Sequence, residues 1–176
     1  MAHMIEDMLD TILRHEGGYV DDPDDRGGAT NMGITQQTLA AWRGHAVSKD
    51  EVRALTASEA REIYKNRYFS QPKIDTLADT IQPLAFDMSV NHGPGRAIRL
   101  IQQTLQNMGY PCGVDGGIGP NTRGCLTDAI DEHGWETVNN AIVDERVAFY
   151  HWIVENNETQ RKFLTGWLRR AESFRV

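Results

Sequence analysis

The chain is 176 residues long, 40% hydrophobic, and carries a formal net charge of −7. That length suits one compact domain or two small lobes, and that apolar content excludes wholesale disorder. The acidic balance argues against nucleic acid as the main partner, and no apolar run nears the roughly 18–20 residues that cross a bilayer.

Met1-Ala2-His3 reads as a cloning remnant ahead of Met4, and no charged-then-apolar leader follows it. Met4 to His15 is expected to be a helix. Ile5, Met8, Leu9, Ile12 and Leu13 fall on one stripe at helical spacing. Gly17-Gly18 ends it. Tyr19 to Thr35 is too rich in Asp, Pro and Gly for a helix, with short extended pieces expected at Tyr19-Val20 and Met32-Gly33-Ile34. A helix starts at Thr35 and runs through Leu39 and Trp42. Ser48-x-x-Glu51 and Thr56-x-x-Glu59 have capping-box spacing, and the second leads a helix over 57–69 with Ile63, Tyr64 and Tyr68 as its apolar side. Another helix is expected over 80–92, bent near Pro83. Gly93-Pro94-Gly95 is the clearest punctuation in the chain and divides a lobe at 4–93 from one at 94–176. In the second lobe, helices are expected over 96–107, from Pro120 to about Glu132, over 135–154 and over 159–174, with a loop over 109–119. Core candidates of the long helix are Val138, Ile142, Val147, Phe149, Tyr150 and Ile153. Trp42, Trp135, Trp152 and Trp167 are read as core residues in preference to sugar platforms. The fold class is mainly α with a small β element.

The stretch His15 to Thr35, HEGGYVDDPDDRGGATNMGIT, carries the chemistry. Glu16 stands where an amphipathic helix gives way to a loop holding Asp21, Asp22, Asp24 and Asp25. Hydrolysis of a glycosidic bond needs a carboxylic acid to protonate the leaving oxygen and a second carboxylate to steady the sugar cation or activate water. Two environments make the two roles: a poorly solvated site keeps one acid neutral, a polar one keeps the other ionised, as in the lysozyme that exemplifies the pattern. Glu16 fits the first role. The second falls to the loop acids, Asp25 first and Asp22 next, with Arg26, Thr30 and Thr35 as polar partners. Alternatively the acids do turn chemistry, bonding nearby backbone amides. A calcium loop does not fit, because the pattern that would start at Asp22 puts Gly33 where a bidentate Glu is required. The scattered histidines have no metal-hydrolase spacing, so neither metal nor cofactor is called for. Cys112 and Cys125 are too few for a disulfide framework; they fit a reducing compartment, or a single bridge outside one.

These residues resemble the signature of glycoside hydrolase family 108, bacterial and phage N-acetylmuramidases that cut the peptidoglycan glycan strand. The E-G-G-Y, D-P, G-G-A-T-N and G-I-T elements match in order and spacing. The second lobe resembles the peptidoglycan-binding domain that usually follows, through Ala85-Phe86-Asp87, Val90-Asn91-His92-Gly93, Ile101-Gln102-Gln103 and Asp115 to Thr122. The resemblance implies a lysozyme-like helical fold with its β element at the cleft. It also implies cleavage of the β-1,4 bond between N-acetylmuramic acid and N-acetylglucosamine, with Glu16 as the acid. The Glu16–Asp25 spacing is similar to that of phage lysozymes, whose sites add a Thr six residues after the Asp. Here Thr30 comes five residues after Asp25, and the sixth position is Asn31. Asp25 and Thr30 are therefore the expected catalytic partners, with Tyr19, Asp22, Asn31, Thr35 and Asn91 on the substrate.

The expected partner is the peptidoglycan strand, met by a monomer made in the bacterial cytoplasm and acting in the periplasm or wall. An endolysin of this kind passes through a holin-type pore. The segment 159–176 holds five basic residues against one acid, +4, leaving −11 elsewhere. Phe163, Leu164, Trp167 and Leu168 beside Arg169 and Arg170 offer a basic amphipathic helix for outer-membrane lipid, or a last helix packed on the core. The rival functions are a non-catalytic wall-binding or secretion-assisting module and a hydrolase of another amino-sugar glycan.

Overall fold

The structure, a computed structural model, describes residues 2–23 and 28–176, with side chains from Met4 onward. By its contacts the chain divides into two compact units, Met1–Arg67 and Tyr68–Val176. Among the described residues no helix is long and apolar enough to cross a membrane.

The first unit begins with α1, Ala2–Glu16, which buries Met8, Leu9 and Ile12. Glu16 is its last helical residue, not the first of the loop. A hairpin of two-residue strands follows: β1, Thr30–Asn31, and β2, Ile34–Thr35, are antiparallel, with Thr30 opposite Thr35 and Asn31 opposite Ile34. Met32 and Gly33, expected to be extended, form the turn instead. Both have positive φ, +51° and +78°, the backbone of a type I′ turn, whose twist matches that of the strands it joins. Val20 adds a bridge to Thr30 through two backbone hydrogen bonds of 2.7 and 2.8 Å.

Three short helices complete this unit. Helix α2, Gln36–Arg43, is capped by Thr35, whose hydroxyl accepts from the Thr38 amide at 3.0 Å and donates to the Thr38 hydroxyl at 2.8 Å. Helix α3, Lys49–Arg53, starts with the full reciprocal capping box of Ser48 and Glu51. Helix α4, Ala57–Ile63, has only half of one. Thr56 accepts from the Glu59 amide, but the Glu59 carboxylate turns to Arg43, with contacts of 3.0 and 2.8 Å. The helix predicted over 57–69 changes character at Tyr64 and runs on as a π-helix, Tyr64–Ser70.

The second unit is a stack of long helices. Helix α5, Gln82–His92, is not bent by Pro83. The proline sits in its first turn, where no amide partner is lost. Helix α6, Pro94–Asn107, follows, and its face of Ala97, Ile98, Ile101 and Leu105 is buried. The loop after it, rich in Gly, is organised by the buried amide of Gln102. Its nitrogen donates to Asp115 Oδ1, the Gly117 carbonyl and Thr122 Oγ1 at 2.9–3.0 Å, and its oxygen accepts from the Asp115 and Gly116 amides. Helices α7, Pro120–His133, and α8, Trp135–Asn156, come next. The predicted helix over 159–174 is a 3₁₀ segment, Glu158–Phe163, followed by α9, Leu164–Glu172. Cys112 and Cys125 are buried and free. Burial pushes the Cys112 thiol up to about 11, so it stays protonated near neutrality.

Helix α8 carries its buried residues four apart: Val138, Ile142, Arg146, Tyr150 and Val154. Arg146, in the middle of that apolar line, is 0% exposed. It pairs with Asp87 of α5 at 2.7 Å. Arg170 of α9 reaches the same carboxylate, with contacts of 2.9–3.1 Å to both oxygens. Burial opposes ionisation of Asp87, but the two guanidiniums outweigh it and hold its carboxyl below the ordinary range. Arg146 Nε also donates to His92 Nε2 at 3.1 Å and to the Tyr150 hydroxyl at 3.2 Å. The His92 ring is therefore an acceptor at Nε2. Burial, with Arg146 beside it, pushes its pKa down to about 3. One charged cluster thus pins three helices.

Candidate active site

Glu16 ends α1, where Gly17 turns the chain away with a φ of +73°. It is half-buried. The hairpin tip lies directly against it. A Cβ placed on Gly33 would fall 2.5 Å from Glu16 Oε2, 2.9 Å from Glu16 Cβ and 2.5 Å from the Tyr64 hydroxyl oxygen. Only glycine fits there, on two counts: the positive φ and the lack of room. Tyr64, at the junction of α4 and the π-helix, is 1% exposed. Its hydroxyl donates to the Met32 carbonyl at 2.5 Å, inside the turn. The carboxyl, the phenol and the hairpin turn are thus packed as one piece.

The hairpin brings Thr30, Asn31 and Thr35 to the same unit and the same small sheet. Their side chains do different things. The Asn31 amide is buried and donates to the carbonyls of Val52 and Arg53 at 3.0 and 3.1 Å, tying β1 to the end of α3. Thr35 caps α2. Thr30 holds Val20 through its backbone and is half-buried. Tyr19 lies under the Arg53 guanidinium, 4.8 Å from its ring centre, with its hydroxyl buried and unbonded among the described residues.

The acidic loop is more exposed. Asp21 pairs with Lys49 at 3.0 Å, and Asp22 is at the surface. Asp25, expected to be the second catalytic carboxylate, lies outside the described residues, as do Asp24 and Arg26. Asn91 belongs to the second unit, where its side-chain oxygen accepts from Arg146 at 3.3 Å and from the Tyr150 hydroxyl. Among the described residues no group of three His, Cys, Asp or Glu could hold a metal. Sequence reasoning treated Tyr64 as an apolar helix residue. Its signal was present in the letters: a Tyr on a buried face needs a partner for its hydroxyl.

A carboxylic acid anchored beside a glycine hairpin, at the mouth of an acid-rich loop, is equipped to give a proton to a leaving group. Residues 9–93 match the family Glycosyl hydrolase 108. The solved structure of Brucella abortus SagA is 32% identical, with a TM-score of 0.81, over 99% of this chain and 92% of that one. The chain belongs to the glycosyl hydrolase 108 family. Residues 96–172 match a second family, Predicted Peptidoglycan domain. No curated protein matches. This family 108 protein therefore has a lysozyme-like, mainly α fold and is a glycoside hydrolase that acts on peptidoglycan. The family boundary falls between 93 and 96, beyond the division at Arg67 between the compact units.

Proposed function

We propose that Glu16 is the general acid of an N-acetylmuramidase that cuts the β-1,4 bond between N-acetylmuramic acid and N-acetylglucosamine. The observation that carries this reading is the packing of the Glu16 carboxyl against Gly33 and Tyr64. It fixes one acid at the end of a helix, half out of water, where a proton can be handed to the glycosidic oxygen. Asp25 supplies the second carboxylate, which steadies the sugar cation or activates water, and Thr30 orients that water. Tyr19 and Asp22 meet the substrate directly. Asn31 and Thr35 act by holding the elements that shape the site, and Asn91 holds Arg146 and Tyr150 within the second unit.

The test is Glu16→Gln, nearly equal in size but unable to donate a carboxylic proton. Release of new reducing ends from purified sacculi should fall about 10²–10⁴-fold, with the melting temperature little altered and muramic acid at every new end made by the parent. Retained turnover by the variant overturns the assignment. Asp25→Asn should cost far more activity than Asp22→Asn or Asp24→Asn.

In the cell the enzyme acts as an endolysin-type monomer, reaches the wall through a holin-type pore and lyses the bacterium. A contact with outer-membrane lipid is supported by Phe163, 45% exposed with the Lys162 ammonium 5.1 Å from its ring centre. Against it, Trp167 turns inward and stacks on Tyr150, with ring centres 5.2 Å apart. Loss of vesicle binding in a Phe163→Ser, Lys162→Gln double variant would support the lipid contact.

A further inference from the structure

Trp152, read from the sequence as a core residue, is 55% exposed on the outer side of α8. Its indole stacks on the Phe149 ring, with planes 14° apart and centres 5.9 Å apart. The Arg96 guanidinium of α6 lies 4.9 Å from the centre of the same Phe149 ring. These groups line a cleft of about 390 Å³ between α6 and α8, with Arg99 and Gln103 on one side and Glu145 on the other. Val114, 38% exposed, also lines it. Arg99 settles over Gly116, where an added Cβ would come within 3.1 Å of its guanidinium carbon and 3.2 Å of the Gly95 carbonyl. The glycine-rich loop therefore leaves room for an arginine at the rim of the cleft.

Every residue of this cleft belongs to the second unit and to the segment that matches the peptidoglycan domain. A large aromatic face left in water has a cost that packing inward would avoid. Here the face adjoins two cations and an amide, a combination suited to one class of ligand. An indole takes the apolar face of a pyranose ring. Two arginines take carboxylates in paired hydrogen bonds. Glu145 takes an ammonium. The peptide-bearing sugar of peptidoglycan offers all three: a ring, the carboxylates of its stem peptide and the amino group of the stem's diamino acid. We propose that this cleft is an accessory site for that unit, with Trp152 on the sugar and Arg96 and Arg99 on the carboxylates. The proposal rests on peptidoglycan being the substrate and adds where, outside the Glu16 site, the chain grips it.

The test uses the full chain carrying Glu16→Gln, so that binding is read without digestion. Depletion isotherms on purified sacculi are compared for this parent, for added Trp152→Ala, and for added Arg96→Gln with Arg99→Gln, each with a matched thermal melt. Trp152→Ala should weaken binding about tenfold, the size expected of a central aromatic anchor. The double arginine variant should be weaker on intact sacculi but equal to the parent on sacculi whose stem peptides have been removed and whose exposed lactyl carboxyls have been capped as neutral amides, while Trp152→Ala stays weaker on both. Binding by Trp152→Ala equal to the parent overturns the site. An arginine deficit that persists on stripped glycan overturns the carboxylate assignment. Failure of the unmutated enzyme to cleave sacculi is a separate result: it ends the muramidase reading, whereas these isotherms report on the cleft alone.

Discussion

Glu16 and Asp87 carry the same functional group in opposite settings. Asp87 sits in mid-helix inside an apolar run and is 1% exposed, fixed by two arginines from two other helices. Glu16 sits at a helix end, half-buried, beside a glycine turn and a phenol. A buried carboxylate ringed by guanidiniums has no proton to give; it is a structural anion. Glu16, half in solvent at the edge of a loop, is placed for the proton transfer proposed for it. Position in the helix, more than residue type, separates the structural anion from the proposed acid.

Paired substitutions turn that contrast into measurements. Glu16→Gln should remove nearly all turnover, the loss of about 10²–10⁴-fold given above, and leave stability nearly alone. Asp87→Asn should do the reverse. It strands two guanidiniums with no counter-charge, a class of change that costs about 3–5 kcal/mol. For a chain of this size the melting temperature should drop by roughly 10 °C or more. Equal stability losses in urea for the two variants would erase the distinction.

Much of this could be read from the letters, and the exceptions share a cause. Helix limits followed apolar spacing and caps, so α1, α6, α7 and α8 fell within a few residues of expectation. The family signature pointed to Glu16, the acid proposed above. Long-range polar contacts were less legible. Arg146 occupies a position four residues from Ile142 and four from Tyr150, squarely on the buried line. The conflict between its charge and its place was visible, but the counter-charge that resolves it, Asp87, lies 59 positions away. Tyr64 was hidden likewise, since its acceptor lies 32 residues earlier. Trp152 erred the other way, because a tryptophan on a long amphipathic helix gives no local sign of which side its neighbours will leave open. The turn at Met32-Gly33 was misread because an apolar residue seldom takes positive φ.

That turn provides the next sharpening of the contrast, since it touches the acid. Gly33→Ala should cost about 1–2 kcal/mol for the left-handed backbone alone. The new methyl would also claim the space of Glu16 Oε2 and displace it. Misplacement of a reacting group by an ångström can cost about 100-fold in rate, so kcat on sacculi should fall much further than stability does. Tyr64→Phe removes one hydrogen bond to the Met32 carbonyl. It should cost about 1 kcal/mol and lower kcat less than Gly33→Ala. If Gly33→Ala lost stability but kept its rate, the hairpin would hold the fold and not the acid.

The smallest effect concerns the buried cluster and pH. His92 has its pKa pushed down to about 3, against 6.5 for a free imidazole. The folded state therefore refuses a proton that the unfolded chain accepts below pH 6.5. Stability from this residue is complete above that value, declines as pH falls toward about 3, and is constant below. Asp87 acts in the same direction in a lower window. Its depressed carboxyl favours the folded state above the ordinary carboxylate range, and the benefit is lost only as pH drops through its lowered value. Of these two groups His92 is the one that contributes between pH 7 and pH 5, and linkage puts its share at about 2 kcal/mol. Urea unfolding at the two pH values should show that loss in the parent and not in His92→Gln, whose side-chain oxygen can still accept from Arg146. Equal losses in both proteins would mean that the imidazole takes its proton inside the folded cluster, which two neighbouring guanidiniums oppose.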